Sequence, residues 1–69
     1  MNTISIILNG KRQEVRPGSS INDLLPVVGA ELKQVAVVVN AAVVSPDRRG
    51  GFILNDNDEV DILIFAGGG

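Results

Sequence analysis

Sixty-nine residues, 45% of them hydrophobic and 20% charged, with a net charge of −2, leave room for one small domain. The absence of cysteine excludes a disulfide framework, a zinc–thiolate site, an iron–sulfur cluster and a thiol nucleophile, and the absence of histidine removes the commonest general base and metal ligand. Six basic against eight acidic side chains, with Phe52 and Phe65 the only aromatics, argue against a nucleic-acid partner; the longest apolar run, residues 35–39, is too short to span a bilayer. The first residues also lack the layout of a signal peptide, so a cytoplasmic location and no membrane partner are expected.

Residues 3–8 are rich in β-branched and apolar side chains, Asn9-Gly10 interrupts them, and residues 11–16 resume with mixed polarity. Asn-Gly favours a two-residue type I′ turn, in which both positions need positive φ, so a β-hairpin is predicted. Pro17-Gly18 closes its second strand, and Ser19-Ser20 offers a helix cap, with Asp23 placed to meet the first-turn amides. Ile21, Leu24, Leu25 and Val28 recur at helical spacing. Pro26 removes an amide donor and clashes with the preceding turn, so the helix is expected to run about two turns or to kink, with Gly29 near its end.

Residues 34–40 form a near-continuous β-branched run, predicted as a strand with at least one buried face. Residues 41–45 supply a short edge strand ended by Pro46, residues 47–51 a solvated loop, and residues 55–58 a turn whose side chains bond their own backbone. The last strand covers residues 59–65, with Val60, Ile62 and Ile64 alternating onto one face and Asp61, Leu63 and Phe65 onto the other. The order β-β-α-β-β-β suits an α+β fold with one main helix packed on one face of a mixed sheet of four or five strands. Burying all three apolar runs puts the first and last strands side by side at its centre, which is the β-grasp arrangement. Residues 1–65 are read as the domain and residues 66–69 as a flexible tail.

That tail, Ala66-Gly67-Gly68-Gly69, directly follows the last strand. Glycine loses the most backbone entropy on ordering and has no side chain to pack, so three in succession favour flexibility. Extended, four residues reach roughly 13–14 Å, and the three glycines, without Cβ atoms, would fit a narrow channel in a partner. The bland possibility is a merely frayed end. No other part of the chain offers a reactive group: Ser19, Ser20 and Ser45 have no histidine to activate them, and Asn9-Gly10 and Gly50-Gly51 lack the context of a phosphate-binding loop. Asp56, Asp58, Glu59 and Asp61 are dense enough to suggest a carboxylate pair or a calcium loop, but they lack the full ligand pattern and read as a solvated turn. No metal site is expected. By strand parity Ile7, Leu63 and Phe65 face away from the main apolar set; they form either a patch for docking a partner or a surface covered by the loop carrying Phe52.

Leu8-Asn9-Gly10, the segment from Ile21 to Leu25, the strand from Val35 to Asn40, Val43-Val44-Ser45-Pro46, the Asn55-to-Val60 turn and strand, and the Gly-Gly end together resemble the ThiS family, the sulfur carriers of thiamine biosynthesis. The resemblance runs through essentially the whole chain. It implies a ubiquitin-like β-grasp fold and a carrier rather than an enzyme. The Gly69 carboxylate would be adenylated by a ThiF-like, E1-like partner that uses ATP, converted to a thiocarboxylate with sulfur from a persulfide donor, and delivered to a ThiG-like thiazole synthase. Gly67 and Gly68 would enter the partners' active sites with it, and no cofactor would be bound stably. A free monomer is expected. The small subunit of molybdopterin synthase resembles this pattern next best, but a Pro-Pro-Val-Ala segment is usual there where Ile64-Phe65-Ala66 stands here. Two further readings stay open at the level of sequence: a ubiquitin-like modifier, and a β-grasp binding module with an inert tail.

Overall fold

The computed structural model describes residues 2–30 and 34–65. The expected hairpin is present: β1 (Ile4–Leu8) pairs antiparallel with β2 (Lys11–Val15), with Leu8 opposite Lys11. Asn9 and Gly10 take φ of 51° and 83°, the two positive angles of a type I′ turn. A second hairpin joins β3 (Val35–Val39) to β4 (Ala42–Val44). Its turn is Asn40-Ala41, with φ of 50° and 69°, so alanine occupies a position that usually takes glycine.

The last strand, β5 (Glu59–Ile64), lies between the hairpins, giving the order β2-β1-β5-β3-β4. It runs parallel to β1 and antiparallel to β3. The arrangement is the β-grasp expected from the order of elements. Asx side chains extend the short parallel ladder at both ends. Asp56 Oδ1 accepts the Ser5 amide at 2.7 Å, and Asn9 Oδ1 accepts the Ile62 amide at 2.7 Å. Between them, the amides of Ile7 and Asn9 donate to the carbonyls of Asp58 and Val60, each at 2.8 Å.

One face of the sheet carries the core. Ile6, Leu8, Val37, Val39, Val44, Val60 and Ile62 pack with Ile21, Leu24 and Leu54 from the covering segments. Ile64, expected to share that face, is exposed because β5 outruns β1 at that end. The covering layer departs from expectation. Instead of one main helix, the described residues contain a 3₁₀ turn at Ile21–Leu24 and another at Pro46–Arg48. Pro26 supplies the reason, since its ring would collide with the Asn22 carbonyl in an α-helix. That carbonyl instead accepts the Leu25 amide. The segment ends on a Schellman pattern, with Ala30 N–H on the Leu25 carbonyl at 2.8 Å, Gly29 N–H on the Pro26 carbonyl at 3.1 Å, and Gly29 at φ 72°. The start is as read from the sequence: the Asp23 carboxylate accepts the Ser20 amide at 2.9 Å.

At the outer side of β3, the register that sets Val37 opposite Val44 would bring Val35 opposite Pro46, which has no amide to give. The Arg49 guanidinium takes that place, its Nη2 donating to the Val35 carbonyl at 2.9 Å.

Candidate functional site

Gly67, Gly68 and Gly69 lie outside the described residues, so the geometry of the site is that of the β5 end that carries them. Beyond Ile62, the strand is held from the β3 side: Leu63 and Ile64 pair with Ala36 and Val35, and the Phe65 amide donates to the Gln34 carbonyl at 3.0 Å.

The second face of the sheet has no covering layer among the described residues. Ala36 and Val38 on β3 share it with Val43 on β4 and with Leu63 on β5, and Phe65 continues the same parity. Val43, Leu63 and Phe65 are 76%, 56% and 58% exposed. They form an apolar area beside the root of the tail. Phe52 packs on the core instead, so its loop does not cover this patch. Ile7 does face this side, but it pairs with Glu59, four residues before Leu63, and the row of Asp61 intervenes. The structure therefore brings Leu63 and Phe65 together and leaves Ile7 outside. Val43 escapes a reading that takes residues 41–45 as an edge strand without a parity, and Val38 one that takes residues 34–40 as a near-continuous apolar run. The signal lies in the Asn40-Ala41 turn, which fixes that parity once it is recognised.

The other half of this face is charged. Glu59 and Asp61 on β5 share this face with Arg12 and Glu14 on β2, Ile7 of β1 standing between Glu59 and Arg12, and Arg12 Nη1 donates to Ser5 Oγ at 2.8 Å. The carboxylates of the 55–58 turn are engaged in structure. Buried Asp58 accepts from Asn40 Nδ2 at 3.0 Å and from the Asn55 amide at 2.8 Å, while Asn40 Oδ1 accepts the Glu59 amide at 3.0 Å. Among the described residues, no group of three or more acidic side chains is placed to hold a metal ion, and no helix is long and apolar enough to cross a membrane. Two shallow surface hollows of about 400 Å³ and 390 Å³ lie elsewhere, one lined by Asp47, Arg48, Gly51 and Phe52, the other beside Asn9, Lys11 and Val27.

Three comparisons bear on this geometry. The ThiS family model matches residues 6–69. Thiazole synthases of Magnetococcus marinus and Paramagnetospirillum magneticum are 35% and 27% identical over 66 residues, 96% of this chain. The chain spans 20% of the length of each of these relatives. The crystal structure of a thiamine biosynthesis protein (ThiS) from Geobacter metallireducens superposes with a TM-score of 0.77 at 28% identity, covering 96% of this chain and 100% of that one. With sequence match and sheet arrangement in agreement over nearly the full length, this chain belongs to the ThiS family.

Proposed function

We propose that this chain is a sulfur carrier of thiazole formation in thiamine biosynthesis, a co-substrate of its partner enzymes rather than an enzyme. Its reacting group is the carboxylate of Gly69. The observation that carries the reading is the family match, which continues through the glycine end to residue 69. A carboxylate is a poor electrophile, so an E1-like, ThiF-like partner first joins it to the AMP moiety of ATP with loss of pyrophosphate. The outer sulfur of a persulfide then displaces AMP to give an acyl disulfide, and a second thiol cleaves its S–S bond by exchange, forming a disulfide with the donor's sulfur and releasing the thiocarboxylate. A ThiG-like thiazole synthase receives the sulfur, a role supported by the two relatives that carry a matching segment. Gly67 and Gly68, which lack side chains, form the slim part of the tail that enters each active site. ATP is used by the activating partner, and the cytoplasm, which supplies it, is the location.

The open face bearing Leu63, Phe65 and Val43 docks the partners, and its acidic half favours partner surfaces that are basic beside an apolar centre. Ile7 lies at the margin of that area. The same exposed face supports a second reading, a binding module whose tail is inert.

Incubation with an E1-like adenylating enzyme, ATP and a persulfide source, followed by thiol-directed alkylation and C-terminal-peptide mass spectrometry, separates the two. The chain has no cysteine, so ATP-dependent alkylation mapping to Gly69 identifies the carrier. An unmodified tail under conditions that convert another ThiS protein overturns it in favour of the binding module. Deleting Gly68 and Gly69 abolishes sulfur transfer in a carrier while leaving docking intact.

A further inference from the structure

Two side chains on opposite sides of the tail root take the place of backbone groups that the neighbouring strands do not supply. On the β1 side the strand stops at Leu8, and the Ile62 amide, next in the ladder after the bond between Asn9 N–H and the Val60 carbonyl, donates to the side-chain oxygen of Asn9. On the far side, the Gln34 carbonyl accepts the Phe65 amide, so by antiparallel alternation the next residue, Val35, turns its carbonyl away from β5 toward the edge where Pro46 has no amide. Arg49 Nη2 fills that position, and its Nε is buried with no partner among the described residues. The guanidinium is thus held, partly buried, at the outer edge of β3. A partly buried guanidinium and a turn residue both bond within two positions of the strand pairs that hold residues 62–65.

We infer that Asn9 and Arg49 are positioning residues, a brace that sets the direction and rigidity of the end of β5 as far as Phe65, the residue from which the glycine end continues. Asn9 holds β5 directly. Arg49 acts through β3, by fixing Val35 and with it the Gln34 carbonyl that receives Phe65. The inference rests on the carrier reading for its consequence in catalysis, because a reacting carboxylate at residue 69 is delivered within the range that the position of Phe65, four residues earlier, permits.

The test uses the full chain and four variants. Asn9→Gly keeps the positive φ of the turn and removes the acceptor, whereas Asn9→Asp retains it. Arg49→Met keeps an apolar stem and removes the donor, whereas Arg49→Lys retains one. Amide exchange at Phe65 is expected to speed up about tenfold in Asn9→Gly and Arg49→Met, with Val37 unchanged. The kcat for ATP-dependent adenylation by the E1-like enzyme is expected to fall about tenfold, with KM within about twofold of wild type. Asn9→Asp and Arg49→Lys restore both readouts. Wild-type exchange at Phe65 in Arg49→Met overturns the brace. So does faster exchange with unchanged kcat, or equal acceleration at Val37 and Phe65, the mark of general destabilisation. If the wild-type chain is never adenylated, the carrier reading fails, and the exchange pattern alone decides the brace.

Discussion

Ala41 sits at φ 69° in the second position of the β3–β4 turn. There its Cβ crowds the backbone, at a cost of roughly 1–2 kcal/mol. Ala41→Gly relieves that strain and returns part of it as entropy of the unfolded chain, so a net gain of about 0.5–1 kcal/mol is expected. Thermal melting followed by circular dichroism checks it, the midpoint rising by roughly 3–6 °C. Asp58 works in the opposite sense. Its buried carboxylate accepts two hydrogen bonds, and Asp58→Ala leaves Asn40 Nδ2 and the Asn55 amide without a partner, so a loss of about 2 kcal/mol in urea unfolding is expected. The two hairpin turns show what a sequence displays at this scale. Asn9-Gly10 was legible because glycine advertises positive φ, whereas Asn40-Ala41 was hidden because alanine does not. The four-residue turn at 55–58 was equally legible, but the burial of Asp58 was not, since it depends on Asn40, 18 residues away.

The covering segment was legible in its start and its end, less so in its middle. Ser20 with Asp23, the spacing of Ile21 and Leu24, and Gly29 near the close all stand where the pattern put them. The winding does not follow from apolar spacing, because Ile21 and Leu24 three residues apart suit a 3₁₀ turn as well as an α-helix. Pro26 decides between them through the Asn22 carbonyl. Gly29→Ala tests the closing motif. No heavy atom lies within 4 Å of the added Cβ, so the whole effect is backbone strain at φ 72°. A loss of about 1 kcal/mol is expected in the same unfolding assay. An unchanged midpoint would show that the Schellman geometry contributes nothing in solution.

Among the described residues the sheet has one covered face and one open face, and the proposed docking rests on this asymmetry. Leu63→Asp places a charge at the middle of the open apolar area without touching the core, so melting is expected to stay within about 0.5 kcal/mol of wild type. Binding to the E1-like partner proposed above, measured by calorimetry, is expected to weaken at least about tenfold. Asp61→Lys is expected to slow association and to flatten its dependence on salt, as read by stopped-flow mixing at two ionic strengths. Unchanged binding in Leu63→Asp would move docking to another surface. Strand parity was sufficient to mark Leu63 and Phe65, because it is a local property of β5. Excluding Ile7 and adding Val43 required the register between strands, which no single strand carries.

The placement of β5 has a kinetic consequence. The strand made last of the five stands in the middle of the sheet, and its pairing of Glu59 with Ile7 closes a loop of more than fifty residues. Each flanking hairpin forms from neighbours along the chain, but the two have no edge in common until β5 enters between them. Folding therefore waits for the same segment that leads into the glycines. A nascent or broken chain ending before residue 59 holds two separate ribbons with no joined sheet, so the open apolar area and the strand that leads into the glycines arise in a single step.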